Sequence, residues 1–149
     1  MKTIDFLEAK KSNAEPVAMN ELAAIISDAE VLCRLYGLAE ICTEVLLLAM
    51  LDNTKLSAYN YLLLLGVNIV AIKKELEKRL SNKPVVVGKK IANSVALDGL
   101  MFLNGGNRNS LKLVTTILEN NNTAAARLLK QERIFLDQFR DIFYRPICE

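Results

Sequence analysis

Slid against itself by 67 residues, the chain meets its own pattern without a gap. Thr43 falls on Ser110, Leu46 on Leu113, Leu47 on Val114, Met50–Leu51 on Ile117–Leu118 and Asp52–Asn53 on Glu119–Asn120. The register holds beyond the turn, where Leu62 meets Leu129, Val67 meets Ile134, Ile69 meets Leu136, Ile72 meets Phe139 and Leu76 meets Phe143. Apolar positions and turns that recur together point to one supersecondary unit used twice. Each half is too small to bury its own apolar faces, so the two are expected to share one core.

The spacing within each half is helical. Leu22, Ile25, Ile26, Ala29, Leu32, Cys33 and Tyr36 lie on one helix face, with Asn20 as N-cap and Gly37 as a left-handed stop. Thr43 opens a second helix that it can cap through its own hydroxyl, and Glu44 in the first turn suits the helix dipole. The run from Val45 to Leu51 is apolar all round, as a buried helix requires. A third helix runs from about Leu56 to Leu65 and stops at Gly66. Asn68 caps a fourth, which buries Ile69, Ile72, Leu76 and Leu80. Lys73, Lys74, Glu75, Glu77, Lys78 and Arg79 then form its solvated face. Residues 81–88 read as a linker, with Val85–Val87 extended and unpaired. In the second half helices are expected over Lys89–Leu103, Ser110–Glu119, Thr123–Gln131 and Phe135–Phe143, the last stopped before Pro146. The predicted fold is all-α, with two tandem pseudo-symmetric four-helix repeats packed into one eight-helix domain. Repeat one covers about 20–80 and repeat two about 89–145, behind a polar arm over 1–18.

Composition narrows the function. Nineteen basic and 17 acidic side chains leave a net charge of +2, too little to form an electrostatic footprint for a phosphate backbone, so no nucleic-acid partner is expected. The longest apolar stretches, Leu62–Leu65 or Val45–Leu51, fall far short of the ~20 residues of a membrane helix. Met1–Lys11 lacks the apolar core of a secretory signal. Three cysteines, Cys33, Cys42 and Cys148, form no C-x-x-C pair, so neither a disulfide framework nor a zinc site is expected, and a cytoplasmic location fits best. Histidine is absent, which removes Ser-His-Asp and Cys-His nucleophile pairs and imidazole metal ligands. Gly88–Lys89–Lys90 is the nearest approach to a phosphate loop, and Lys83 stands where its first glycine belongs. Neither catalytic residues nor a cofactor is expected.

One further pattern has a known counterpart. A helix ending near Gly37 leads to Thr43–Glu44 and Val45–Leu51, then to Leu62 and Leu65–Gly66–Val67–Asn68. Residues Glu21–Leu76 thereby resemble the first repeat of the N-terminal domain of the Clp ATPases. Ala124–Leu129 resembles part of the second, so the likeness spans about residues 19–145. The chain departs from the family at Val45, where a histidine is usual. It departs again at Ser110–Leu111–Lys112, where Thr-Glu-His is expected, and at Asn104, which stands where Gly37 does. The resemblance implies a docking domain that binds protein substrates and adaptors for a Clp ATPase ring, in cis as a fragment or in trans as a free-standing protein. It also implies a ligand-binding role for Thr43 and Glu44, the carboxylate receiving the guanidinium of phosphorylated arginine. A plain alternative for Glu44 is a first-turn acid worth about 0.3–1 kcal/mol to its helix. Tyr59, Tyr61 and Leu62–Leu65 read either as a substrate patch or as core, and Cys33 as a small core residue. Glu40 and Glu44 straddle a helix boundary and have no acid–base partner. The competing readings of the whole chain are an unrelated helical scaffold that dimerises or holds a small apolar ligand, and an enzyme using lysine or carboxylates.

Overall fold

The computed structural model describes residues 20–86, 90–120 and 122–139. The expected arm over 1–18 and the end of the last expected helix lie outside them. The described chain is mostly helical: α1 Glu21–Tyr36, α2 Thr43–Asp52, α3 Ser57–Leu64, α4 Ile69–Ser81, α5 Val95–Asn104, α6 Ser110–Glu119 and α7 Ala124–Gln131. Residues 137–139 are helical again. Two short strands, β1 Glu40–Ile41 and β2 Ala92–Asn93, pair in parallel.

Two helices form the centre because their sequences leave them no polar face. Every residue of α2 from Thr43 to Leu51 is buried, and α6 buries Ser110 and Leu113–Leu118. Each wholly buried leucine, such as Leu47, contributes about 1.5–3 kcal/mol by leaving water. Around them α1, α3, α4 and α7 pack on α2, while α1, α3, α5 and α7 pack on α6.

Local signals set most of the boundaries. Asn20 and Asn68 cap α1 and α4, their side chains accepting the N–H of Ala23 at 3.0 Å and of Ala71 at 3.1 Å. Gly37 closes α1 at φ 69°, and its carbonyl accepts the Val86 N–H at 2.7 Å. A Cβ at Gly37 would lie 2.7 Å from Val85 Cγ1, so this glycine supplies both the left-handed turn and the room for residues 85–86 to cross. The ends of α3 and α7 are built alike. Val67 N–H reaches Leu62 O and Gly66 N–H reaches Leu63 O; correspondingly, Ile134 N–H reaches Leu129 O and Arg133 N–H reaches Lys130 O. Both are Schellman turns, with Gly66 at φ 80° and Arg133 at φ 65° in the left-handed position. The bounds carry the same offset: α6 begins and ends 67 residues after α2, and α7 begins and ends 67 residues after α3.

The region between the halves departs from expectation. A strand does find a partner, though not in the described valines Val85 and Val86: Ala92 N–H donates to Ala39 O at 2.9 Å and Ser94 N–H to Ile41 O at 3.1 Å. The helix expected from Lys89 therefore starts only at Val95, behind Ser94, whose hydroxyl accepts the Leu97 N–H at 3.1 Å. Backbone groups committed to the ladder at 92–94 cannot also serve a helix, and the apolar spacing upstream gave no hint of that distant partner. The α5 stop falls at Gly105, φ 66°, leaving Asn104 as the last helical residue. Its buried amide donates to Asn107 O at 3.0 Å and accepts the Thr116 hydroxyl at 3.2 Å.

Candidate functional site

The start of α2 places Thr43 and Glu44 side by side in sequence but gives them different surroundings. Cys42 occupies the N-cap position and makes no side-chain cap. An N-cap hydroxyl serves the N–H two or three residues on, and Thr43, already inside the helix, does not do so. Its buried Oγ1 instead accepts the Ala125 N–H at 3.4 Å, at the start of α7. The expectation that Thr43 caps its own helix is thus corrected: its hydroxyl serves a helix of the other half.

The opposite half returns the contact. Ser110 Oγ, wholly buried, accepts the Ala58 N–H at 2.8 Å, at the start of α3. Ser110 lies 67 residues after Thr43, and Ala125 lies 67 after Ala58. Residue i meets j′ while i′ meets j, the pattern of a twofold contact. Glu21 secures one side of this exchange. Its Oε2 accepts Ser57 N–H and Ser57 Oγ–H, both at 2.9 Å, and its Oε1 accepts Ser110 N–H at 2.8 Å. Burial alone raises the pKa of this carboxyl, but the hydrogen bonds from Ser110 and Ser57 together outweigh it and hold the value below normal.

Glu44 is buried among cations of its own chain. Lys83 Nζ lies 3.1 Å from Oε1 and Arg79 Nη1 3.6 Å from Oε2. Arg79 also donates from Nε to Glu75 Oε2 at 2.9 Å, and its pKa is raised first by Glu75 and then by Glu44. Burial pulls the Lys83 pKa down, yet its hydrogen bond to Glu44 and that carboxylate's charge leave it raised. Lys83 also lines an open cleft of about 360 Å³, together with Leu38, Ala39, Cys42, Pro84 and Val86. Glu44 therefore sits behind a cation that forms part of the cleft wall. Chemically, this arrangement is suited to exchanging one cation for another. Among the described residues no group of three His, Cys, Asp or Glu side chains could hold a metal ion.

Other candidates separate. Tyr61 donates its hydroxyl to Gln138 O at 2.6 Å and sets its ring 5.1 Å from that of Phe139, so it joins helices rather than a patch. Tyr59 packs partly against the core, Leu62 is buried, and Leu63 and Leu64 are exposed. The charged face of α4 is not simply solvated, since Lys73 pairs with Asp52 at 2.7 Å and Arg79 reaches Glu44. Cys33 is core as expected; burial pushes its thiol to about 11, and its Sγ lies 3.3 Å from Glu40 O. Glu40 in β1 and Glu44 in α2 fall on separate elements.

Glu21, Ser110, Arg79 and Lys83 escaped the sequence reading as working residues. One signal was available for Glu21. Helix α3 starts behind Leu56, which cannot cap it, so an acceptor had to come from elsewhere.

No family model matches the chain, and no curated protein matches it. Among the described residues, no helix is long and apolar enough to cross a membrane.

Proposed function

We propose that the chain is a protein-docking module of two tandem pseudo-symmetric four-helix repeats, recruiting substrates or adaptors to a Clp-type ATP-dependent chaperone or protease in the cytoplasm. The observation that carries this reading is the reciprocal pair Thr43–Ala125 and Ser110–Ala58. It relates the two halves by an approximate twofold, the organisation that the resemblance to Clp N-terminal domains implies. The module acts by holding clients near the ATPase ring, raising their effective concentration there. The ring is either joined in cis or bound in trans.

The binding site in this proposal is the cleft between Leu38–Cys42 and Lys83–Val86, with Thr43 and Glu44 behind its wall. A cationic group of the client, such as an arginine side chain or its phosphorylated form, replaces the Lys83 ammonium on Glu44. Paired hydrogen bonds to the carboxylate favour a guanidinium over an ammonium in that exchange. Titration of the purified chain with a Clp-type ATPase, an unfolded model substrate and an arginine-phosphorylated substrate tests the role. Binding of at least one at tens of micromolar is expected. Failure of all three at that concentration overturns the docking role.

A further inference from the structure

The exposed face of α5 presents a feature the docking cleft does not use. Val95, Gly99 and Leu103 lie four residues apart, along one line of the helix. With Ala96, Leu100, Asn120, Asn122 and Thr123 they bound an open groove of about 240 Å³ whose lining holds no charged residue. Beside the groove stands Phe102, 84% exposed, near Val95 at 90%. The one acid on this helix, Asp98, is held by Asn93 Nδ2 at 3.0 Å.

Gly99 stands out in this groove. A glycine in a helix interior weakens the helix relative to alanine, and it is retained where a backbone must be approached closely. Within the chain nothing requires it: an added Cβ would meet no atom within 4 Å. The equivalent position 67 residues earlier carries Leu32. Likewise the first half buries Leu56 where the second has the shorter Thr123 on the groove wall. The second half has thus become open at a place where the first is filled.

We propose that this face joins two copies of the chain in an isologous dimer, each inserting Phe102 into the groove over Gly99 of the other. A protruding ring and a hollow side by side on one surface are self-complementary under a twofold axis. A cavity of roughly 150 Å³ suffices for benzene, so the groove has room for a phenyl ring. A twofold contact sets each surface against its own charges, and this one carries none that repel. The face is smaller than the ~800 Å² per partner of a standard interface, so the dimer is a weak one.

Sedimentation velocity of the full chain from about 10 µM to about 1 mM tests this. The wild type should move from monomer towards dimer over that range. Phe102→Ser and Gly99→Leu should each weaken the dimer at least tenfold. Both should keep the wild-type melting curve or better it, since Phe102 is exposed and leucine favours the helix. A wild type that stays monomeric throughout overturns the dimer and leaves the face to a different protein. So does a dimer that either variant leaves intact, because the contact would then lie elsewhere. Neither outcome touches the docking cleft, which is on different elements.

Discussion

Residues 43–67 and 110–134 follow the same path with different chemistry. Helix bounds and Schellman turns coincide at an offset of 67 residues, yet only the first stretch places a carboxylate in the first turn of its central helix. At the corresponding position the second has Leu111, which needs no cation. The first closes α3 with Gly66, whereas the second closes α7 with Arg133. Caps differ too: Thr123 and Asn109 serve the second half with their own side chains, while α2 and α3 lack side-chain caps at Cys42 and Leu56. The lesson is that backbone geometry here depends on the apolar register and the turn hydrogen bonds. Polar side chains vary without disturbing it. What they decide is which half holds charge and which half is held from outside.

The residue that holds both halves gives the largest expected effect. Glu21→Gln keeps the volume but replaces one acceptor oxygen with a donor facing N–H groups. Loss of charge-assisted hydrogen bonds to Ser57 and Ser110 should cost about 3 kcal/mol in urea unfolding at pH 7. The pH dependence has a definite sign. A folded pKa below the unfolded one stabilises above the unfolded value, and that stability is lost as pH falls through the lowered folded value. The gap between wild type and variant should therefore close towards about pH 3, where both carry a neutral group. A gap of the same size at pH 7 and pH 3 would show that Glu21 acts by packing alone.

The exchanged hydroxyls come next, and they are unequal. Ser110→Ala leaves the buried Ala58 N–H without its 2.8 Å partner, at a cost of about 2 kcal/mol. Thr43→Val leaves the Ala125 N–H without a partner at 3.4 Å, and this longer bond should cost about 1 kcal/mol. Urea midpoints at constant slope measure both. Equal losses would mean that the two contacts are as symmetric in energy as they are in position.

Legibility differed by the kind of signal. The apolar register placed α2, α3, α6 and α7 within a residue or two, because a buried helix leaves a dense record in sequence. Asn20, Asn68, Gly37 and Gly66 marked their helix ends through the chemistry of one or two neighbours. Glu44 was legible as a residue type, but its cations were not. Arg79 and Lys83 lie 35 and 39 residues away, on or just after a helix whose alternating charges look solvated. Pairing of Glu40–Ile41 with Ala92–Asn93 left no trace either, since two residues are too few to show a strand period.

Exchanging the closing residues of α3 and α7 should shift stability in opposite directions. Arg133→Gly relieves a side chain from the left-handed region and should gain about 0.5–1 kcal/mol. Gly66→Ala introduces that strain at φ 80° and should lose about 1 kcal/mol, although space for the methyl is open. Thermal melts of the two variants decide it. A destabilised Arg133→Gly would indicate that the arginine side chain contributes more than its backbone costs.

The smallest effect belongs to the charged corner that only the first half has. Lys83 is 37% exposed at its side chain, and pairs of that kind contribute about 0.2–1 kcal/mol. Lys83→Met leaves Arg79 on Glu44 and should cost less than about 0.5 kcal/mol. Because the lysine pKa is raised on folding, its contribution is complete below the unfolded value and fades only as pH rises through the folded one. Stability of wild type and variant should therefore run parallel between pH 6 and pH 9. Removing the competing ammonium should at the same time raise the affinity of an arginine-bearing peptide a few-fold, measured by fluorescence anisotropy. A loss above about 2 kcal/mol would make Lys83 a fixture that Glu44 needs in order to stay buried. A client could not then displace it, and the proposed route to Glu44 would fail even if the module still bound proteins elsewhere.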